Sequence, residues 1–215
     1  MAASEARKLI SISDTLPPHL QEYLTKVRCI NLEKAIPFLK SISYEVRGRR
    51  YEAIGFANLS GGYELRDDKT FKGTIAPKDI TPIFEDMEQP VCLFEGFMDF
   101  LSFLSMKGEV TNQCLVMNSV SNVARSIHYL NERNITSIRV FLDNDDAGRS
   151  ISYLNNQQVS SIRISLDNDD AGRRATQELI KAGFKVEDMA VYYRDFKDLN
   201  DYRVSRVRKP QKKLE

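Results

Sequence analysis

The chain has 215 residues, of which 42% are hydrophobic and 28% charged, and its formal net charge is +1. This composition predicts a soluble globular protein with a core of one or two domains, and it excludes binding of nucleic acid through overall charge. The three cysteines lack the paired spacing of a zinc ribbon. No apolar stretch approaches the ~20 residues that span a bilayer, and the N-terminus has no signal-peptide pattern, so we expect a cytoplasmic protein without membrane contact.

The first third of the chain, residues 1–88, predicts a small α+β subdomain. Residues 1–25 are polar and helix-like, and residues 32–42 indicate a second short helix. Residues 44–76 alternate between apolar and polar side chains with turn signals between the runs, as β-hairpins do. Residues 77–90 contain three prolines and are expected to connect this unit to the next.

Strands alternate with helices from residue 89 to residue 204, which predicts a parallel sheet covered on both faces. The expected strands are 91–95, 113–118, 137–143, 161–167 and 189–193. Ligands of such sheets bind beyond the carboxyl ends of the strands. Acidic residues stand at those ends in the sequence: Glu95, Asp143, Asp167 and, after the last strand, Asp198. A basic tail, residues 205–215, follows this second domain.

A 24-residue block occurs twice in succession, at residues 126–149 and 150–173. Each copy ends in LDNDDAGR, which aligns Asp143 with Asp167 and Asp145 with Asp169. Two carboxylates at positions i and i+2 of a strand point to the same side and repel each other, and a bound cation relieves that repulsion. Each copy therefore predicts a metal site at a strand end. Helix capping is the simpler interpretation of a single aspartate, but it explains three acidic clusters at three strand ends less well.

Either copy of the block can supply the working pair. The first copy reads SIRVFLD and the second SIRISLD, where Ser165 replaces Phe141, so the first suits a buried central strand better. If the sheet has gained one unit, the second copy lies one strand further out. If the first copy is extruded instead, Asp167 and Asp169 take the site, and the second copy does lead into the long helix AGRRATQELIKAG.

Three segments together resemble the Toprim domain, which is found in DnaG-type bacterial primases, topoisomerases and some nucleases. They are EGFMD (95–99), the Asp-x-Asp pair followed by Gly148 and Arg149, and KDLND (197–201). EGFMD followed by DNDDAGR is closest to the primase branch, and residues 20–80 resemble the N-terminal subdomain of the primase core in proteins of bacterial mobile elements. The resemblance implies an α/β fold: a Toprim-type parallel sheet flanked by helices, a small N-terminal α+β subdomain and, here, a duplicated helix–strand unit.

The acidic residues of that family hold Mg²⁺ or Mn²⁺, and hard oxygen ligands suit these ions. The resemblance implies Glu95, Asp143 and Asp145 as catalytic residues and metal ligands. Asp198 is expected to complete the set, and Asp167 with Asp169 form the alternative pair. Basic residues are candidates to hold a nucleoside triphosphate or the template backbone: Arg47, Arg49, Arg50, Lys72, Lys78 and Lys197.

The resemblance implies a primase-like nucleotidyltransferase that makes RNA primers on single-stranded DNA from nucleoside triphosphates. The zinc module that usually precedes this core is absent from the sequence, so a zinc-bearing protein or a helicase is an expected partner. Two alternatives are a Toprim nuclease that uses the same metal site, and a catalytically silent nucleic-acid-binding accessory protein of replication or mobilisation. The chain is too short for the tyrosine-bearing domain of a topoisomerase.

Overall fold

The structure is a computed structural model that describes residues 7–86, 88–141 and 170–208, with the backbone alone at 88–89 and 170–174. The strands are β1 Lys8–Ser13, β2 Leu39–Val46, β3 Arg49–Ala57, β4 Tyr63–Arg66, β5 Lys72–Ile75, β6 Thr81–Ile83, β7 Glu88–Phe94, β8 Asn112–Val116, β9 Ser137–Phe141 and β10 Lys185–Asp188. The α-helices are α1 Pro18–Glu22, α2 Leu32–Ala35, α3 Phe97–Met106, α4 Val123–Glu132, α5 Asp170–Lys181 and α6 Leu199–Arg208. Single π or 3₁₀ turns occur at Tyr23–Val27, Ile36–Phe38, Val120–Asn122 and Ala190–Tyr192.

The first sheet is an antiparallel meander in the order β1-β2-β3-β4-β5. On one of its faces Ile54 and Phe56 join the large core around α3, and the Phe56 ring stacks on Phe97 at 5.1 Å. The other face packs a small cluster of its own. There Gly55 is required, because a Cβ at this position would meet the Ile42 side chain at 2.2 Å.

The second sheet has the order β10-β9-β7-β8-β6. Its strands are parallel, except that β6 runs antiparallel to β8. One face packs on α3 and the opposite face on α4 and α5. The predicted fold class is confirmed: an α/β sheet flanked by helices, with an antiparallel N-terminal unit. Since β7, β8, β9 and β10 are parallel, their carboxyl ends meet at a single edge of the sheet.

Two predictions in the N-terminal unit are wrong. Residues 1–25 looked helix-like, but Lys8–Ser13 is a strand that pairs antiparallel with β2, and its alternating isoleucines and serines fit that pairing. Residues 32–42 were expected to be one helix. The helical segment ends at Phe38, and β2 begins at Leu39, where the chain pairs with β3 through Phe56.

Two predictions in the second unit are also wrong. Residues 77–90 are more than a connection, because they contain β6, and the second sheet thus takes in a strand before residue 89. The last strand is Lys185–Asp188 instead of residues 189–193. The Ala190 N–H donates to Asp188 Oδ1 at 2.8 Å, and this bond turns the chain into the 3₁₀ turn Ala190–Tyr192.

The first copy of the repeat supplies β9, and its two neighbours are β7 and β10. Of the strands that the structure describes, β10 is the one that pairs with the outer side of β9. Residues 142–169, with the expected strand 161–167, lie outside the described residues, as do residues 209–215 of the basic tail. Within the described ranges, no helix is long and apolar enough to cross a membrane.

Candidate active site

Glu95 stands at the carboxyl end of β7, the central strand of the second sheet. Phe94, the last residue of β7, lies opposite Val116 of β8 and Phe141 of β9. The Glu95 N–H extends this ladder by donating to the Phe141 carbonyl at 3.2 Å. Gly96 is the N-cap of α3, so the chain passes from strand to helix directly after Glu95. The half-buried Glu95 side chain is thus held at the edge where ligands bind in such sheets.

Both Asp-x-Asp pairs lie outside the described residues: Asp143 with Asp145, and Asp167 with Asp169. Within the part of the chain that the structure describes, no three His, Cys, Asp or Glu side chains group as a metal cluster. The strand that leads to the first pair is described. It ends at Phe141, beside Phe94, and Asp143 follows two residues later in the sequence. The sheet thus brings the first copy's strand, rather than the second's, to Glu95.

Asp198 precedes α6 and is half-buried. Its Oδ1 accepts the Asp201 N–H at 2.7 Å, so one carboxylate oxygen caps the helix, as the simpler interpretation of an isolated aspartate expects. Burial and, after it, repulsion from Asp198 raise the pKa of Asp201. Negative charge at this end of α6 is therefore incompletely compensated, and the donors available there are carboxylate oxygens, which suit Mg²⁺ or Mn²⁺.

A buried polar network connects the segments EGFMD and KDLND through Asn200, which is 1% exposed. The Asn200 N–H donates to Asp99 Oδ1 at 3.2 Å. Its Nδ2 donates to Ser102 Oγ at 2.9 Å and to the Arg28 carbonyl at 3.0 Å, and its Oδ1 accepts from Arg28 Nη1 at 3.0 Å. Every polar group of the Asn200 side chain is bonded, so this residue fixes α6 against α3.

Arg28 is a candidate residue that the sequence did not reveal. It follows the π turn Tyr23–Val27, a feature often found at functional sites, and Cys29 after it has φ of +55°. Its guanidinium donates to the Tyr23 hydroxyl at 2.8 Å and to Asn200. The charge of Arg28 also lowers the pKa of Asp201, against the larger effects that raise it. A guanidinium oriented by two neutral partners keeps its positive charge and is suited to hold a phosphate group. The residues around Arg28 in the sequence show only a helical pattern, which does not indicate a functional residue.

The six predicted basic residues are all exposed. Lys197 adjoins Asp198 at the edge where the parallel strands end, which carries Glu95 and which we name the acidic edge. Lys72 shares a face of the first sheet with Ile54, through the register Ile54–Arg66–Lys72, and this face packs towards α3. Arg49 pairs with Val46 on the opposite face. Arg50 pairs with Glu45 on the same face as Lys72, Arg47 is in the β2–β3 turn, and Lys78 follows β5. The structure therefore distributes these cations over two faces of the sheet and does not collect them in one site.

Asp188, at the end of β10, is a second residue that the sequence did not reveal. It is 2% exposed, and burial raises its pKa to about 7. One oxygen accepts the Ala190 N–H, while within the described residues Oδ2 has no hydrogen-bond partner. A buried carboxyl group at the binding edge of the sheet is therefore largely protonated below neutral pH.

Comparison with protein families gives two matches. A family described as Toprim-like matches residues 92–152 and 149–203, which together make up more than half of the chain. The chain belongs to the Toprim-like family. The two matched segments meet at residues 149–152, where the first copy of the repeat ends and the second begins. A domain of unknown function matches residues 9–76, which correspond to the first sheet and its helices.

Two solved structures from bacteriophage T7 share this fold. The primase fragment of the T7 primase–helicase protein is 15% identical with a TM-score of 0.54, over 84% of this chain and 67% of that one. The second is a complex of the T7 lagging-strand DNA polymerase with primase domains of two gp4 subunits bound to an RNA/DNA hybrid and dTTP. It is 15% identical with a TM-score of 0.53, over 85% of this chain and 84% of that one. No curated protein sequence matches the chain.

Proposed function

We propose that this chain is the catalytic core of a primase-like nucleotidyltransferase that synthesises RNA primers on single-stranded DNA. One observation carries the proposal: the strand that leads to Asp143 and Asp145 lies beside the strand that ends in Glu95, with the Glu95 N–H bonded to Phe141. Membership of the Toprim-like family supports it, as does the shared fold with T7 primase domains bound to an RNA/DNA hybrid and dTTP.

We assign Mg²⁺ or Mn²⁺ as the cofactor. The residues that would hold it are Glu95, Asp143 and Asp145, together with the carboxylate oxygen of Asp198 that does not cap α6. The donors are all oxygens. Burial is the main cause of the raised pKa of Asp201, and repulsion from Asp198 is the second; a cation at this edge would offset that repulsion. The bound ion would stabilise the charge that develops on the phosphoryl oxygens.

The reaction joins a primer 3′-hydroxyl to the α-phosphorus of a nucleoside triphosphate, and the bond from that phosphorus to the pyrophosphate breaks. In this proposal Glu95 accepts the hydroxyl proton. Arg28, oriented by its bonds to Tyr23 and Asn200, and Lys197 contact the phosphate groups. Lys72, on the sheet face that packs towards α3, contacts the template backbone, which positions the strand without reading its sequence.

The remaining basic candidates, Arg47, Arg49, Arg50 and Lys78, are assigned to nucleic-acid contacts outside the acidic edge. A helicase and a zinc-bearing protein are proposed as partners; the T7 fragment that shares this fold belongs to a primase–helicase protein.

The experiment is an extension assay with a single-stranded DNA template, labelled nucleoside triphosphates and Mn²⁺. We expect short RNA products from the wild type and none from Glu95→Gln, which removes the charge and keeps the size. Asn131→Ala, a change at an exposed residue in the last turn of α4, is the control and should retain full activity. Cleavage of the labelled template without extension would assign a nuclease, and binding without turnover would assign an accessory protein. Either result would refute the proposal.

A further inference from the structure

The β2–β3 hairpin of the first sheet presents cations and an aromatic ring to solvent. Its turn places Arg47 at φ of +51° and Gly48 at +72°, the conformation of a two-residue hairpin turn in which Asn, Asp or Gly is favoured at the first position. An arginine held there carries a conformational cost, of a kind that is concentrated at functional positions. Residues 47–52 are all exposed.

A row of stacked groups ends on this hairpin. The Arg7 guanidinium lies 5.2 Å from the centre of the Phe71 ring, Phe71 stacks on Tyr44 at 6.0 Å, and Tyr44 stacks on Tyr51 at 5.6 Å with an interplanar angle of 24°. Tyr44 is 4% exposed, whereas Tyr51 is 43% exposed. One face of the Tyr51 ring is covered by Tyr44, so the row can be extended by another flat group on the solvent side of Tyr51.

The charges of the hairpin are divided between the two faces of the sheet. On the face opposite Tyr51, Glu45 lies between Lys8 and Arg50 in the strand register, and these three charges offset one another. The face that carries Tyr51 also carries Arg49, two residues before it on β3.

The acidic residues of the five strands all lie on the face away from Tyr51: Glu45, Glu52 and Glu64. Burial raises the pKa of Tyr44, and the charge of Asp67, in the β4–β5 turn, also raises it. The Asp67 Oδ1 accepts the N–H groups of Lys69 and Phe71, which offsets part of its charge. The surface around Tyr51 is therefore aromatic and cationic, and it is complementary to a chain of phosphates that bears flat bases.

We propose that Tyr51 and Arg49 form a binding site for single-stranded nucleic acid. A base stacks on the open face of Tyr51 as the next member of the row, and Arg49 contacts the adjoining phosphate. The bases of a duplex are already stacked on one another, so the site selects single strands. It lies on the sheet face away from Phe56 and α3, so a strand bound there leaves the acidic edge accessible. This inference rests on the proposed function for its class of ligand.

The test measures binding of the full chain to a labelled single-stranded oligonucleotide in EDTA without nucleoside triphosphates. We expect Tyr51→Ala to weaken binding roughly tenfold, since one stacked base contributes about that factor, and Tyr51→Phe to bind like the wild type. Tyr192→Ala removes a tyrosine that is 66% exposed elsewhere and should have no effect. Arg49→Ala should weaken binding and reduce its salt dependence.

A second measurement reports on stacking directly. The chain contains no tryptophan, so Tyr51→Trp introduces a single tryptophan whose emission can be excited apart from that of the tyrosines. Its emission should be quenched by single-stranded DNA or RNA and unchanged by polyphosphate, which has charge but no bases. Unchanged affinity in a folded Tyr51→Ala variant, equal binding of duplex and single strands, or absence of quenching would each overturn the inference.

The binding test is independent of catalysis. It is carried out in EDTA without nucleoside triphosphates, so no metal-dependent step contributes to the signal. Binding through Tyr51 in a protein that fails to extend primers would refute the proposed function and leave this site intact. Extension by a protein in which Tyr51→Ala binds normally would refute only the site.

Discussion

The rings of Phe94 and Phe141 stack across neighbouring strands, with centroids 4.7 Å apart and an interplanar angle of 17°. Phe141 also contacts Phe103 of α3 at 5.3 Å and is 5% exposed. This contact joins the strand of Glu95 to the strand that leads to Asp143. The second copy of the repeat has Ser165 at the position of Phe141, so only the first copy can make it.

Two deletions of equal length test this difference. Deleting residues 150–173 keeps α4, β9 and the sequence LDNDDAGRRATQ that leads into α5. Deleting residues 126–149 keeps the same junction but replaces the first copy by the second, which differs from it at eight positions; the largest change in a buried side chain is Ser165 in place of Phe141. We expect the second deletion to be less stable by about 3–5 kcal/mol, because it truncates a buried aromatic side chain. Urea unfolding followed by circular dichroism measures the difference, and equal stability of the two proteins would contradict it.

Replacing Asn200 by alanine should destabilise the protein by about 2–4 kcal/mol. The change leaves the Arg28 guanidinium, the Arg28 carbonyl and the Ser102 hydroxyl without the partner that the Asn200 side chain supplies, and each such group carries a desolvation cost. Asn131→Ala, at an exposed position on α4, is the matched control and should change stability by less than about 0.5 kcal/mol. If the two variants unfold at the same urea concentration, the network does not fix α6 to α3.

Asp188 should make stability fall as the pH rises from about 4 to about 7. In this window the folded protein keeps the proton, because the pKa of Asp188 is about 7, whereas in the unfolded chain an aspartate has a pKa near ~3.9. Stability then decreases by up to about 1.4 kcal/mol per pH unit, with no contribution to the slope below or above the window.

The variant Asp188→Asn isolates this effect. It should lose this contribution to the slope and exceed the wild type in stability at pH 8, where the buried carboxylate of the wild type is ionised. Thermal unfolding at a series of pH values measures both proteins. Parallel curves for the two proteins between pH 4 and pH 7 would show that Asp188 titrates normally.

The two Asp-x-Asp pairs serve as controls for each other in metal binding. We expect Asp143→Asn with Asp145→Asn to lower the affinity for Mn²⁺ at least tenfold, because two anionic ligands are lost. Asp167→Asn with Asp169→Asn should leave the affinity unchanged. Isothermal titration calorimetry distinguishes the two. The opposite result would assign the working site to the second copy, and unchanged affinity in both variants would remove the aspartates as ligands.

The sequence determined the alternation of strands and helices after residue 89 and the position of Glu95 at a strand end. These features follow from short-range patterns of apolar residues, which the folded sheet preserves. The same patterns gave wrong predictions of a helix at Lys8–Ser13 and of a strand at residues 189–193. Lys8–Ser13 forms a strand because β2 is its partner, and the chain turns after Asp188 because that carboxyl group accepts the Ala190 N–H. Neither contact can be predicted from local propensity.

The tertiary structure alone decided which copy of the repeat lies beside β7, because two nearly identical segments compete for one place and the stacking of Phe141 on Phe94 distinguishes them. It also brought Arg28 to Asn200, across 172 residues of sequence, and Tyr51 to the open end of an aromatic row. Such contacts join residues that are distant in the chain, and their energies depend on packing and burial that arise only when the segments meet.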